Sequence, residues 1–407
     1  MGRAKSHWME QEDRGWSDPE THVCQHCIGN DTHLRHLVRK NLTVVACSYC
    51  NSKSRKAAPI AVLMAAVLHG VKYSFNDEAN AGCPYDKEFS IEYMSSGDVL
   101  EQILESEDLE WPEELINDVA EAFMNTGWVE APDGNWMGSY DHERLHWSWD
   151  SFAHAVKHQS RFHFQIRKRS RSYGEDLVSV HEMLPFLGRL VRQQRMVRKL
   201  PASTVFHRVR PGKHAHSVSE LGSPPADKAR AGRMNPAGIP YLYLAFDERT
   251  ALAETRAKQG DQVTISQWSS CRDLHVIDLS HDLRCPSIFS DKRREHDMVQ
   301  FLYKFTDEIS KPVAHDGSEH IEYVPTQVVS EYFAQAFTYS QHKRVDGLVY
   351  PSAVDPRGKN LVLFQNHDEA VAVHSDELFS VMTLRTSKSD YVNYSNYSVV
   401  LDEFSYS

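Results

Sequence analysis

No apolar run in this chain reaches the roughly 18 residues that a membrane span needs. The nearest, Ala57 to Val71, is interrupted by Pro59 and His69 and reads as a buried helix. The N-terminus lacks the apolar core of a signal peptide, so export is not expected. Cysteine is too scarce and too odd in number for a disulfide framework. Seven in 407 residues points to a reducing compartment, and a cytoplasmic protein is expected. An overall positive charge is also missing. Asp plus Glu outnumber Lys plus Arg by 56 to 45, giving a net charge of −11, which excludes a chain that coats nucleic acid while leaving room for a local basic patch. The apolar 41% and charged 25% are those of a globular chain, and the length exceeds what one core fills. Two or three domains are expected.

The texture along the chain divides it further. Residues 1–56 are polar and rich in His and Cys, and residues 57–200 read mainly as helices. Asp98 to Glu105 and Pro112 to Phe123 carry apolar residues at helical spacing, and Ser179 to Arg198 reads as one long helix. From Pro201 short β-branched and aromatic runs appear: Ala202–Arg210, Tyr241–Phe246, Leu274–Leu279, Gly347–Tyr350 and Asn360–Gln365. Helical stretches separate them at Glu248–Lys258, Glu295–Ser310 and Thr326–Ser340, so 201–385 is a mixed α+β domain rather than a βαβ repeat. Residues 386–407 form a polar tail expected either to add an edge strand or to stay mobile.

Cys24-Gln-His-Cys27 and Cys47-Ser-Tyr-Cys50 are two CxxC knuckles with nineteen residues between them. That spacing lets four thiolates wrap one tetrahedral ion, and it predicts a structural zinc at Cys24, Cys27, Cys47 and Cys50. Four sulfurs close the shell, leaving no open position for catalysis; His26, His33 and His36 are spare donors. His154 and His158 share a helix face but lack the Glu of an HExxH site. Arg189, Arg192, Arg195 and Arg198, spaced by three, follow a basic run at Arg167-Lys168-Arg169 and Arg171. This stripe, near Phe162, Phe164 and Tyr173, suits either a phosphate backbone or the acidic remainder of the chain.

The chemistry concentrates after Phe206-His207-Arg208-Val209-Arg210. Gly232-Arg233-Met234-Asn235-Pro236-Ala237-Gly238 follows, then Tyr243-Leu-Ala245, Ala251-Leu-Ala-Glu254, Pro325-Thr326-Gln327 and Asp346-Gly347-Leu-Val-Tyr350-Pro-Ser352. Alone, Arg208 is an ordinary surface cation, Tyr243 a core aromatic, Glu254 a helix-surface acid and Ser352 a turn residue. Together, from Ala202 to Val381, they resemble the RES-domain family. The front half resembles the extra N-terminal region of larger, HEPN-related RES proteins, although no RxxxxH ribonuclease motif is present. The resemblance implies an ADP-ribosyltransferase-like α+β fold and an NAD-degrading toxin.

In that reading NAD is the substrate and Glu254, Arg233, Arg208 and Ser352 are catalytic, with Arg208, Arg233, Tyr243, Gln327 and Ser352 binding NAD. Breaking the nicotinamide–ribose bond passes through an oxocarbenium-like sugar, which a carboxylate such as Glu254, near the start of a helix, stabilises. Guanidinium forks at Arg208 and Arg233 suit pyrophosphate or an attacking phosphate. Gly232 and Gly238 would let the loop backbone approach a ligand. Tyr243 offers a ring for the nicotinamide, with Tyr241 as the alternative, and Ser352 a hydroxyl; Arg210 is a spare cation, and Gln327 and Thr326 either cap a helix or line the pocket. Leu252, two residues before Glu254, cannot act as a base. That favours water or inorganic phosphate over a protein side chain as acceptor, with protein mono-ADP-ribosylation as the alternative. A zinc-dependent nucleic-acid-binding module is the rival class. An antitoxin, or a phage or nucleic-acid trigger, is the partner expected at the N-terminal half, and no membrane.

Overall fold

The computed structural model describes residues 3–50, 56–77, 80–83, 92–125, 127–166, 177–311, 317–365 and 381–392. The basic run at 167–171 and Tyr173 lie outside them. The chain divides into two compact units, Met1–Arg144 with Arg284–Phe301, and Leu145–Leu283 with Leu302–Ser407.

In the first unit α1 (Arg3–Arg14) precedes β1 (His22–Val23), α2 (Thr32–Lys40) and β2 (Ala58–Pro59), which pairs antiparallel with β1. The apolar run then forms α3 (Ala61–Ser74), with Pro59 left in the strand before it. Eight of its residues are buried, as an all-round apolar helix requires. β3 (Phe75–Asp77) pairs antiparallel with a later strand, β4 (Trp128–Glu130), after α4 (Ser96–Ser106) and α5 (Glu113–Ala122). A reciprocal capping box between Ser95 and Asp98 starts α4, and Val99, Leu100, Ile103 and Leu104 bury its inner face.

The second unit is mixed α+β. Its helices are α6 (Asp141–His154, begun in the first unit) and α7 (Met183–Gln193), followed by β5 (Val197–Leu200), β6 (Val205–Pro211), α8 (Val218–Leu221) and β7 (Leu242–Ala245). Then come α9 (Glu248–Thr255), β8 (Gln262–Ser270), β9 (Leu274–Asp278), α10 (Arg293–Ser310, shared between the units), α11 (Glu319–Glu322) and α12 (Val324–Gln335). β10 (Gly347–Pro351), β11 (Lys359–Leu363) and β12 (Met382–Tyr391) complete one eight-stranded sheet, ordered β12-β8-β6-β7-β11-β10-β9-β5. Only the β9–β10 pair is parallel. The edge strand β12 starts before the polar tail and takes in its residues 386–391; residues 393–407 lie outside the described residues.

The expected long helix at 179–198 is a correction. It stops at Gln193, Arg195 takes a left-handed φ of 51°, and Arg198 belongs to β5. The Arg stripe is therefore broken. Arg192 donates to the Thr338 carbonyl and lies over Phe337, Arg189 lies over Phe186, and Arg198 meets His281.

Candidate active site and metal centre

Every residue of β6 from Val205 to Pro211 pairs with β8, but β6 meets β7 at one position, His207 opposite Ala245. The two strands diverge, and a cavity of about 260 Å3 opens there. β6 lines it with His207, Arg208 and Val209, β7 with Tyr243, Leu244 and Ala245, and α9 with Ala251, Glu254 and Thr255; Tyr350 and Asn360 close it.

The Asp247 carboxylate caps α9 by accepting from the Thr250 amide at 2.8 Å, and the helix ends at Arg256 with φ 50°. It is two turns long. Glu254 therefore occupies the last turn, not the start expected from sequence. Its Oε1 accepts from Ser352 Oγ at 2.7 Å and from Asn360 Nδ2 at 2.5 Å. Oε2 has no partner among the described residues. Ser352 Oγ also accepts from the amides of Val354 and Asp355, at 3.2 and 3.1 Å. Thr250 Oγ1, 3.0 Å from buried Asp355 Oδ2, ties this loop to α9.

Arg208 is half-buried, but its Nη1 is enclosed and has no hydrogen-bond partner among the described residues. Burial first, and then the charge of Arg210, push its guanidinium down to about 9. His207 Nδ1 is likewise enclosed without a partner. Two enclosed nitrogens beside a cavity, one on a cation, fit an anionic ligand. Arg210 itself turns away and donates to the Glu220 carbonyl.

The Gly232–Gly238 loop is held by polar side chains. The Tyr243 hydroxyl donates to Asn235 Oδ1 at 2.7 Å and accepts from the Met234 amide at 3.0 Å. Burial pushes its phenol up. Asn235 Nδ2 reaches the carbonyls of Arg230, Pro236 and Ile239. A Cβ on Gly232 would lie 2.6 Å from Asn235 Oδ1 and 2.9 Å from the Tyr243 hydroxyl, so the close approach is to these two side chains. Gln327 Nε2 donates to the Gly232 carbonyl at 2.8 Å, and Thr326 Oγ1 to that of Arg233 at 2.6 Å. Arg233 projects elsewhere. Its Nη1 donates to the carbonyls of Ile309 and Lys311 at 2.8 and 2.6 Å, its guanidinium lies over Tyr323, and it lines a second cavity of about 520 Å3.

Of the residues expected from sequence, Arg208, Tyr243 and Glu254 share one cavity. Ser352 holds Glu254, Gln327 holds the motif loop, and Arg233 faces the second cavity. Tyr241 packs on Phe364. Asn360 was missed, although its signal is present: an amide directly before the apolar Leu361-Val362-Leu363 of β11.

The four cysteine sulfurs lie within 4.8 Å of one another, with Cys24–Cys27 at 3.7 Å and Cys24–Cys50 and Cys27–Cys47 at 3.8 Å. Thiolates about 2.3 Å from a tetrahedral ion are about 3.8 Å apart, so the cluster is shaped to hold a metal ion. Burial opposes ionisation of Cys24, but hydrogen bonds from Cys27, His26 and Cys47 outweigh it and bring the thiol down to about 7. Burial pushes Cys27 and Cys47 up. No other such cluster occurs among the described residues, so His154 and His158 gain no partners.

Two family models match the chain: HEPN/RES N-terminal domain 1 over residues 40–170, and the RES domain over residues 205–382. The chain thus carries a RES domain preceded by a HEPN/RES N-terminal domain. RES domains are associated with NAD-acting enzymes. No curated protein matches the chain. The split-sheet cavity lies within the RES match, whereas Cys24 and Cys27 precede both. No described helix is long and apolar enough to cross a membrane.

Proposed function

We propose that this chain cleaves the nicotinamide–ribose bond of NAD, by phosphorolysis or hydrolysis, and acts as a toxin by depleting NAD. One observation carries the reading: a carboxylate anchored through one oxygen and a guanidinium whose enclosed nitrogen has no hydrogen-bond partner among the described residues line the same cavity. The cavity is smaller than the roughly 300–1,000 Å3 of whole-ligand sites, so it suits the nicotinamide-ribose end of a dinucleotide. Glu254 presents Oε2 to the ribose and stabilises the oxocarbenium-like charge as the bond to nicotinamide breaks. Arg208 pairs with the pyrophosphate or with an attacking phosphate. Ser352 and Asn360 position Glu254. The Tyr243 ring, fixed through its hydroxyl, forms a wall of the site.

Leu252 is buried, and the position from which a second acid would activate a protein acceptor is therefore closed, which weighs against protein mono-ADP-ribosylation. The broken Arg stripe weighs against a nucleic-acid-binding module built on it. Cys24, Cys27, Cys47 and Cys50 hold a structural zinc that ties the first residues of the chain to the helical part. An antitoxin or a phage-derived trigger acts through the N-terminal half, in the cytoplasm. Incubating the purified protein with NAD, with and without inorganic phosphate, and weighing the products by mass spectrometry tests this. Free nicotinamide is expected, and its dependence on phosphate separates phosphorylase from glycohydrolase. Intact NAD in both reactions refutes the proposal, and ADP-ribose recovered wholly on protein replaces it with protein transfer.

A further inference from the structure

Charge is segregated along the first unit. Residues 32–76 contain seven Lys and Arg and no carboxylate, whereas residues 88–143 contain sixteen Asp and Glu and no Lys or Arg. The fold turns this into two poles. At the C-terminal end of α2, Arg39 and Lys40 are exposed; the chain just beyond it meets the segment of exposed Lys56, where the Thr43 amide donates to the Ala57 carbonyl and Lys56 bridges Ala46. None of the three pairs with a carboxylate among the described residues, while exposed cations elsewhere, such as Lys199 with Asp273 and Lys388 with Glu248, do. At the N-terminal end of α2 the loop between α4 and α5 packs on the first metal knuckle, with Trp111 Nε1 donating to the Ile28 carbonyl. There Asp108, Glu110, Glu113 and Glu114 are exposed without ion pairs among the described residues. Burial, with Asp31 nearby, raises Glu107 in the same corner. Nine residues of helix set the ends of α2 about 13 Å apart.

We propose that the protein self-associates head to tail, the basic pole of one copy docking on the acidic α4–α5 corner of a second copy. Charge complementarity within one unit selects this occupant. A nucleic acid or an anionic lipid surface would engage the basic pole but repel the acidic corner, which lies close to one screening length away. Tyr49, partly buried against the core with its phenol bonded to Asp118 and Thr21, is not presented for base stacking. It does carry uncovered aliphatic side chains, with Leu42 and Val45 exposed and Val44 95% exposed, which a protein surface can bury. The contact joins two different patches, so each complex keeps one free pole at either end and growth passes beyond a dimer.

The test is light scattering on the full chain across a concentration series, at about 0.01 M salt, where the screening length is about 30 Å, and at about 1 M, where it is about 3 Å. Masses above the monomer are expected at low salt, returning to the monomer at high salt. Arg39→Glu/Lys40→Glu/Lys56→Glu and Glu110→Lys/Glu113→Lys/Glu114→Lys are each expected to be monomeric at low salt, and their equimolar mixture to associate again. Circular dichroism checks that both are folded. Wild-type protein monomeric at low salt and at every concentration overturns the proposal whatever the variants do. So does a mixture of folded variants that fails to associate. A monomer that instead binds RNA or anionic vesicles through Arg39, Lys40 and Lys56 assigns the basic pole to that partner and overturns it as well.

Discussion

The Ser352 hydroxyl donates to Oε1 of Glu254 at 2.7 Å, across 98 residues of sequence. Because the same hydroxyl oxygen accepts from two backbone amides, its proton has one direction left to take. Asn360 donates to the same carboxylate oxygen. One oxygen is anchored in a residue that lines the cavity, so the carboxylate is held in place before a substrate arrives and needs no reorganisation during reaction.

Removing either donor should lower turnover more than binding. A hydrogen bond to a charged group contributes about 1.5–3 kcal/mol, so Asn360→Ala and Ser352→Ala should each slow nicotinamide release by about 10- to 100-fold with KM little changed. Both act through Glu254, and the double variant should cost less than the two effects added. In a Glu254→Gln background either change should have little further effect. Steady-state kinetics on all combinations checks this, and full additivity in the Glu254→Gln background would contradict it.

Arg208 should trade stability for binding. Its enclosed Nη1, without a hydrogen-bond partner among the described residues, is unfavourable in the free protein, so Arg208→Met should stabilise the ligand-free chain by about 1–3 kcal/mol. The same change should abolish the rise in melting temperature that NAD or pyrophosphate gives the wild type. Melting scans with and without ligand read both, and a destabilised variant that keeps the ligand shift would refute the role.

Arg233 should behave as a structural cation. Its guanidinium holds two carbonyls at the C-terminal end of α10, where positive charge also opposes the helix dipole. Arg233→Ala should lower stability by about 1–2 kcal/mol, with partial recovery in Arg233→Lys. Denaturant titrations measure this. Unchanged stability with lost NAD binding would return Arg233 to the ligand.

The legible parts of the sequence were those with local chemistry. The apolar face of α4 and the two CxxC knuckles each act within a few residues. Strands β6, β7, β9, β10 and β11 were readable from β-branched runs. β8 was not, because its Ser and Gln residues mask a strand whose Val263, Ile265 and Trp268 are buried. The end of α7 was hidden because Arg195 adopts a left-handed conformation that its residue type does not announce. The role of Arg233 was not legible either. Its partners are backbone carbonyls 76 and 78 residues away, which carry no side-chain signature.

The metal cluster should lose its ion on acidification, because protons compete for the thiolates. In stripped protein Cys24, at about 7, is more than half thiolate at pH 8 and mostly protonated at pH 6, whereas burial keeps Cys27 and Cys47 protonated at both. Iodoacetamide should therefore label Cys24 before Cys27 and Cys47, and faster at pH 8 than at pH 6. Peptide mapping checks the order. Cys47→Ser should lose the metal and loosen the first unit, and metal analysis of the wild type should find one zinc per chain.

Glu254→Gln tests the central claim most directly. The change keeps size and the hydrogen-bond acceptor toward Ser352 and Asn360, but it removes the charge that the oxocarbenium-like transition state needs. Losing one preorganised electrostatic contact typically costs about 100- to 1,000-fold in rate, about 3–4 kcal/mol. NAD is held in its ground state by phosphates and rings, so its binding should survive. The measurement is a saturation curve of nicotinamide release for wild type and Glu254→Gln, with NAD binding and a melting scan on the same samples. The expected result is a folded variant that binds NAD and turns it over at least about 100-fold more slowly. A folded variant with near-native turnover would contradict the account.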